Sequence, residues 1–171
     1  MIELAPSILS ADFARLGAET QAAVEGGATV LHVDIMDGHV VPNLTIGPAV
    51  VACLCKTSRV PLDCHLMIER PDQFIPALVE AGANWISVHH EACVHLDRSL
   101  RLIASLGCKP GVVINPATPV HAIDEVLSLV HHVLVMSRHS HQMNNLFSNL
   151  ARYSRPNSLT HGPLLRLSLQ S

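Results

Sequence analysis

Short runs of apolar, largely β-branched residues recur along the first 137 residues at intervals of about 23–32 residues. Between these runs, apolar positions repeat with a spacing near 3.6, which is typical of helices that pack by one face. The pattern predicts helices over residues 12–24, 72–81 and 120–130. It predicts strands over residues 2–9, 30–36, 61–67, 85–89, 109–114 and 132–136. Strands that alternate with helices in this way indicate βαβ units and a parallel sheet.

Six such units fit into the residues before position 138, whereas a closed (β/α)₈ barrel has eight strands and typically about 250 residues. The predicted fold class is therefore α/β, as an incomplete TIM-type (β/α)-barrel with about six of eight βα units, or a smaller open sheet. In such a sheet the first and sixth strands keep unpaired backbone groups. Because unpaired strand edges are templates for association, we expect poor solubility or a homo-oligomer.

The character of the chain changes at about residue 137. Up to that point there are 7 basic and 14 acidic residues, whereas residues 138–171 hold four arginines and no acidic residue. Glycine is also absent from residues 112–161, and no helical or strand periodicity is evident in the tail. We interpret residues 1–137 as a (β/α)-barrel region and residues 138–171 as an aberrant tail. The tail is either a divergent structural ending or a sequence foreign to this fold, as after a shifted reading frame, and we favour the second.

Composition narrows the classes of partner. Apolar residues make up 49% of the chain and charged residues 15%, which favours a globular protein. The formal net charge of -3 gives no reason to expect a nucleic acid or an anionic membrane as a partner. No apolar run reaches the roughly 20 residues that span a bilayer, and the N-terminus lacks a basic signal region. We therefore expect a cytoplasmic protein. The five cysteines are interpreted as buried free thiols, including the C-x-C pair Cys53 and Cys55.

Polar residues occur where buried strands should be apolar. Side chains alternate across a strand, so His32 and Asp34 share one face of the second predicted strand, and Asp63 and His65 share one face of the third. A carboxylate inside a barrel is costly unless it is paired. We expect His32, Asp34 and His65 to converge near the C-terminal ends of these strands, where barrel enzymes keep their active sites.

Two imidazoles and a carboxylate are a ligand set that suits Zn, Fe, Mn or Co and leaves coordination positions open for a substrate. The alternative interpretation is a hydrogen-bonded core cluster without a metal. His89 and Glu91, at the end of the fourth predicted strand, are either outer partners that orient a ligand or a structural pair. His139 and His141 lie in the tail and are assigned no role.

The first 137 residues, about 80% of the chain, resemble the ribulose-phosphate 3-epimerases in motif order and spacing. The motifs are APSILSADFARLG (5–17), HVDIMDGHVVPN (32–43), LDCHLMIERP (62–71), ISVHHEA (86–92), GVVINPATP (111–119) and VLVMS (133–137). The VVPN segment departs slightly from the FVPN that is common in the family.

The resemblance implies roles for individual residues. His32, Asp34 and His65 match metal ligands, and Asp34 matches one of two acid/base carboxylates. Ser7 and His65 match residues that contact the substrate. The resemblance also implies three methionines beside the reacting carbons: Met36, Met67 and Met136.

The implied reaction interconverts D-ribulose 5-phosphate and D-xylulose 5-phosphate, in the pentose phosphate pathway or the Calvin cycle. A proton leaves C3 to give an enediolate and returns on the opposite face, with a divalent metal as Lewis acid. The family continues with glycine-rich phosphate-binding loops and a second catalytic aspartate, and residues 138–171 match neither. We therefore expect low or absent epimerase activity from this chain. The alternatives are a ketohexose 6-phosphate 3-epimerase of the same fold, or a non-catalytic remnant.

Overall fold

A computed structural model describes residues 3–137 and 164–169 of the chain. Its centre is a six-stranded sheet in which every neighbouring pair is parallel and the strands lie side by side in chain order. The strands are Leu31–Met36 (β1), Leu62–Met67 (β2), Trp85–His89 (β3), Lys109–Ile114 (β4), His132–Ser137 (β5) and Leu164–Leu169 (β6). The predicted fold class, an incomplete (β/α)-barrel, is confirmed by this order, since consecutive parallel strands require a crossover connection between them.

A helical segment precedes each strand from β1 to β5 along the chain. The α-helices are Leu16–Glu25 (α1), Pro48–Thr57 (α2), Ile75–Glu80 (α3) and Leu96–Ser105 (α4). Short 3₁₀ turns precede α1 and α3, at Phe13–Arg15 and Pro71–Gln73. The first lies within the helix predicted over residues 12–24, and the second begins one residue before the helix predicted over residues 72–81. The sequence analysis did not identify α2 or α4. None of the described helices is long and apolar enough to cross a membrane.

The predicted α-helix over residues 120–130 is wrong in type and length, because the structure has a 3₁₀ helix over Val120–Val126. Three buried β-branched residues, Val120, Ile123 and Val126, recur there at a spacing of three. A helix with three residues per turn brings such positions onto one face, which an α-helix would spread apart.

The first predicted strand, residues 2–9, is also corrected. Within residues 3–9 the chain lies beside β1, since the Leu4 carbonyl accepts from Thr29 N–H and the Pro6 carbonyl accepts from His32 N–H, both at 2.9 Å. Only Ser7 forms a bridge with His32, and a 3₁₀ turn begins at Ile8. Pro6 has no N–H to donate, so a continuous ladder cannot form there.

The tail contributes a strand that the sequence analysis did not predict. Leu164–Leu169 pairs with β5 along its whole length, from His132 with Leu164 to Ser137 with Leu169. The segment LLRLSL does alternate apolar and polar residues over its last five positions, which is a short strand signal. The strand at 132–137 is therefore paired on both sides, and β6 lies at the edge instead. The boundary proposed at residue 137 stays a prediction.

The sheet is buried on both faces. On one face, apolar residues of β1 to β5 pack with the helices in a large core that includes Val33, Leu66, Ile86 and Val112. On the other face lies a smaller apolar cluster: Met36, Met67, Val113, Leu134 and Met136. Parallel strands covered on both faces read as near-continuous apolar runs, so any polar residue in them needs a specific explanation.

Gly111 in β4 leaves the room that two polar neighbours occupy. A Cβ added at this position would lie 2.6 Å from Ser87 Oγ and closer still to His132 Nε2. We predict that Gly111→Ala lowers the free energy of unfolding by about 1–3 kcal/mol, the usual range for overpacking a filled interior. Equilibrium urea unfolding measures this change.

Gly17 in α1 provides the control, because an added Cβ there meets no atom within 4 Å. Gly17→Ala should be neutral or stabilising by about 0.4–1 kcal/mol, since it reduces the freedom of the unfolded chain. Equal effects of the two substitutions on the free energy of unfolding would show that the close contacts at Gly111 do not destabilise Gly111→Ala.

Candidate active site

Three buried polar side chains meet on the inner face of β1 and β2. The register of the two strands pairs Asp34 with His65, while His32 lies one pair earlier on the same face. One ligand atom from each of His32, Asp34 and His65 lies within 4.8 Å of the others, and all three residues are buried. They lie within the strands, whereas Met36 and Met67 form the last pair at the C-terminal ends. The expected convergence therefore occurs one step deeper than the strand ends.

Asp34 is the centre of this cluster. Its Oδ1 lies 2.9 Å from His65 Nδ1 and 3.2 Å from His32 Nε2. Its Oδ2 accepts a hydrogen bond of 2.6 Å from Ser7 Oγ, the hydroxyl that the Ser7–His32 bridge holds beside β1. The two imidazoles thus approach one oxygen of the carboxylate, and the hydroxyl approaches the other.

Burial and pairing set the protonation of the cluster. Burial alone would raise the pKa of Asp34, but the adjacent imidazoles of His32 and His65 outweigh burial and hold the pKa well below its usual range. Burial opposes the charged form of His32, yet the adjacent carboxylates of Asp34 and Asp63 raise its pKa to about 10. Burial lowers the pKa of His65 to about 4, because that imidazole lies deeper and near other histidines. At neutral pH Asp34 is therefore ionised, and His32 carries the positive charge that pairs with it.

The cluster fits a divalent metal ion in the chemistry of its donors. His32 Nε2 is buried and makes no aligned hydrogen bond to any described residue, although it lies 3.2 Å from Asp34. Once His32 gives up a proton, this nitrogen can serve as a ligand together with Asp34 Oδ1 and His65 Nδ1. Two nitrogens and one oxygen are a set that Zn, Fe, Mn or Co accept.

Asp63 is a member of the site that the sequence analysis placed on the correct face but gave no role. It is fully buried, and its Oδ2 lies 3.0 Å from His32 Nδ1. Ser87 Oγ lies 3.5 Å and His132 Nε2 3.7 Å from its other oxygen, and Ser87 and His132 are themselves 2.7 Å apart. A feature of the sequence could have identified this role. The order His32-x-Asp34 on one strand is reversed as Asp63-x-His65 on the next, which pairs each histidine with a carboxylate on the neighbouring strand.

The other predicted residues divide into two groups. Met36, Met67 and Met136 meet in the small apolar cluster of the inner face, with Val40 and Val41 packed against it. The cysteines of the C-x-C pair are exposed on α2, so their interpretation as buried thiols is wrong, although Cys64 and Cys108 are buried free thiols. The helix buries Val51 and Leu54 instead. His139 and His141 lie outside the described residues.

The fold and the site together define a class, a (β/α)-barrel protein with a candidate metal centre on the inner face of its first strands. Solved structures of low sequence identity share the fold. The tryptophan synthase alpha subunit of Pyrococcus furiosus, solved as a mutant, superposes with a TM-score of 0.69 at 13% identity over 99% of this chain and 78% of its own. Phosphoribosylanthranilate isomerase from Thermotoga maritima gives 0.65 at 14% identity, over 98% of this chain and 75% of its own.

Sequence comparison shows to which family the chain belongs. The profile of the ribulose-phosphate 3 epimerase family matches residues 3–148. The ribulose-phosphate 3-epimerase of Bacillus subtilis (strain 168) is 54% identical over 137 residues, which are 80% of this chain and 63% of the relative. The chloroplastic enzyme of Arabidopsis thaliana is 51% identical over 138 residues, 80% of this chain and 49% of its own. The chain belongs to the ribulose-phosphate 3-epimerase family, and it spans about half to three fifths of the length of these relatives.

Removing the charge of Asp63 should destabilise the protein. We predict that Asp63→Asn lowers the free energy of unfolding by about 2–3 kcal/mol, because His32 loses a charged, fully buried partner. Urea unfolding at neutral pH measures the change.

Asp97→Asn is the matched control. Asp97 also pairs with a cation, Arg101 at 3.0 Å, but both side chains are largely exposed. Exposed pairs of this kind contribute little, so the variant should unfold within about 0.5 kcal/mol of the parent. A comparable loss in both variants would contradict the importance of burial at Asp63.

Proposed function

We propose that this chain carries the metal-binding half of a ribulose-phosphate 3-epimerase site, which interconverts D-ribulose 5-phosphate and D-xylulose 5-phosphate. The observation that carries the proposal is the convergence of His32, Asp34 and His65, with Ser7 on the same carboxylate, in a member of that family. The curated relatives at 51–54% identity bear the epimerase name.

The proposed metal ligands are His32 Nε2, Asp34 Oδ1 and His65 Nδ1. A bound divalent ion supplies Lewis-acid stabilisation of the negative charge that develops when the C3 proton leaves the sugar. Asp63 holds His32 by its other nitrogen, so the ring presents one fixed nitrogen to the site. Zn, Fe, Mn and Co all suit this donor set.

Asp34 is the proposed acid/base carboxylate for one face of the sugar. A base must be ionised before it accepts a proton, and the low pKa of Asp34 in its paired state satisfies that condition. Ser7 donates to Oδ2 and fixes the plane of the carboxylate. Because one base cannot serve both faces of C3, the full reaction requires a second acid on the opposite side. Residues 126–171 contain no Asp or Glu.

The methionines form the proposed apolar wall beside the reacting carbons. Met67 is fully buried, while Met36 and Met136 are 5% and 7% exposed. Thioether side chains donate no proton and adapt their shape to a ligand, so they keep water from a carbanion-like intermediate without quenching it.

The remaining expectations stay proposals. They are a barrel region over residues 1–137, a cytoplasmic location and a homo-oligomer, the last of which is supported by the edge strand β6. The two alternatives, a ketohexose 6-phosphate substrate and a non-catalytic remnant, are distinguished by the activity assay of a chimaera.

The metal site can be tested without turnover. We predict that the purified protein binds Zn²⁺, Mn²⁺ or Co²⁺. His65→Ala should lower the affinity for the metal at least about tenfold, because one of the three direct ligands is lost. Isothermal titration against a competing chelator measures the affinity. His39→Ala, at a histidine whose side chain is 67% exposed, should bind as the parent does. Equal metal content in the His65→Ala and parent proteins would show that the site is misassigned.

The activity can be tested with a coupled epimerase assay. We predict that the 171-residue chain turns over about 10²–10⁴-fold more slowly than a chimaera in which the C-terminal segment of the Bacillus subtilis relative follows Ser137, because a general acid/base group contributes that factor. Asp34→Asn should abolish the activity of the chimaera.

Comparable turnover by the two proteins would mean that residues 138–171 or a partner subunit supply the missing proton. A chimaera that acts only on ketohexose 6-phosphates would support the alternative substrate, and an inactive chimaera with intact metal binding would support the remnant.

A further inference from the structure

A chain of two imidazoles connects two carboxylates across β1, β2 and β3. Asp34 Oδ1 lies 2.9 Å from His65 Nδ1, and His65 Nε2 lies 2.9 Å from His89 Nε2. His89 Nδ1 lies 3.4 Å from Glu91 Oε2. His65 and His89 are buried, and their rings stack with centroids 5.1 Å apart. The proposed metal ligand His65 is thus tied to Glu91, which lies in the 3₁₀ turn after β3.

The number of protons in this chain is limited. Each neutral imidazole carries one N–H, so two protons are shared by three contacts: Asp34 with His65, His65 with His89, and His89 with Glu91. One proton must lie between the two Nε2 atoms, because two bare nitrogens 2.9 Å apart would repel. The other lies at either the Asp34 end or the Glu91 end. At the end without a proton, a carboxylate oxygen faces a bare nitrogen, and that end is where a cation is favoured.

Glu91 is held in place by the loop that follows β4. Its Oε1 accepts a 2.9 Å hydrogen bond from the Asn115 N–H and another from the Thr118 hydroxyl, both in the loop after β4. Those contacts occupy one carboxylate oxygen and leave Oε2 directed at His89. No described residue makes an aligned hydrogen bond to His89 Nδ1, and Glu91 Oε2, 3.4 Å away, is a carboxylate oxygen placed to accept its proton.

We infer that Glu91 and His89 form a positioning relay for the metal site. Glu91 draws the His89 proton to Nδ1, which leaves His89 Nε2 as an acceptor. His65 then carries its proton on Nε2 and presents a bare Nδ1 toward Asp34, the form in which it can bind a metal ion. The inference rests on the proposed metal centre and deepens it, because it names residues that act through His65 without touching the metal.

The relay predicts specific tautomers. In ¹⁵N-labelled protein loaded with Zn²⁺, long-range ¹H–¹⁵N correlation spectra should show His65 protonated at Nε2 and His89 protonated at Nδ1. This measurement uses the unmodified chain, so it does not depend on the folding of any variant. Observation of His89 protonated at Nε2 in the zinc-loaded protein would overturn the inference.

Glu91→Gln tests the same relay by substitution. If the glutamine oxygen keeps the contacts with the loop after β4, its NH₂ group faces His89 Nδ1 and needs an acceptor there. His89 would then carry its proton on Nε2, against the Nε2–H of His65. We expect the Zn²⁺ affinity to fall about 10–100-fold, the usual effect of losing an outer partner of a metal ligand.

Thr118→Val is the matched control, because it removes one loop contact of Glu91 Oε1 and leaves Oε2 beside His89. It should change the unfolding midpoint but leave the Zn²⁺ affinity within about threefold and the tautomers unaltered. Zn²⁺ binding by Glu91→Gln as tight as that of the parent would overturn the relay alone. Absence of Zn²⁺ binding by the parent would overturn the proposed metal centre and the relay with it.

Discussion

The constraint on which the structure depends is that two carboxylates lie inside a sheet buried on both faces. Moving an ion out of water costs several kcal/mol unless a partner compensates it. The register of β1 and β2 provides the partners, since Asp34 lies beside His65 and His32 beside Asp63. A slip of one residue would turn every side chain of a strand to the opposite face and break both pairs. The ionic pairs therefore help to specify how the first two strands align.

The rest of the inner face is arranged around this polar layer. Beyond it, at the C-terminal ends of the strands, lies the apolar methionine cluster. On the other side, Ser87 and His132 fill the room left by Gly111 and extend the contacts of Asp63. A polar network inside a low-dielectric interior is stable only when nearly all of its members have partners. The same arrangement that satisfies these groups also holds three ligand atoms at one point.

This dual use of the network connects the fold to the proposed chemistry. Each imidazole directs one nitrogen to the common point and the other to an outer partner, Asp63 for His32 and His89 for His65. A metal ligand fixed in this manner needs little rearrangement on binding. Membership of the ribulose-phosphate 3-epimerase family agrees with that arrangement. The described sheet holds one proposed acid/base carboxylate, and the relatives are longer than the part of them that this chain matches.

The sequence by itself determined the order of strands β1 to β5, the alternation that directs His32, Asp34 and His65 to one face, and the resemblance to the family. These features depend on local periodicity and on short motifs, which a single sequence displays. The tertiary structure alone decided which polar residues touch. It paired Asp63 with His32, connected His65 through His89 to Glu91, and placed Leu164–Leu169 beside β5. The contacts of Asp63 with His32, of His65 with His89 and of Glu91 with Asn115 join residues 24 or more positions apart, and no local pattern encodes those distances.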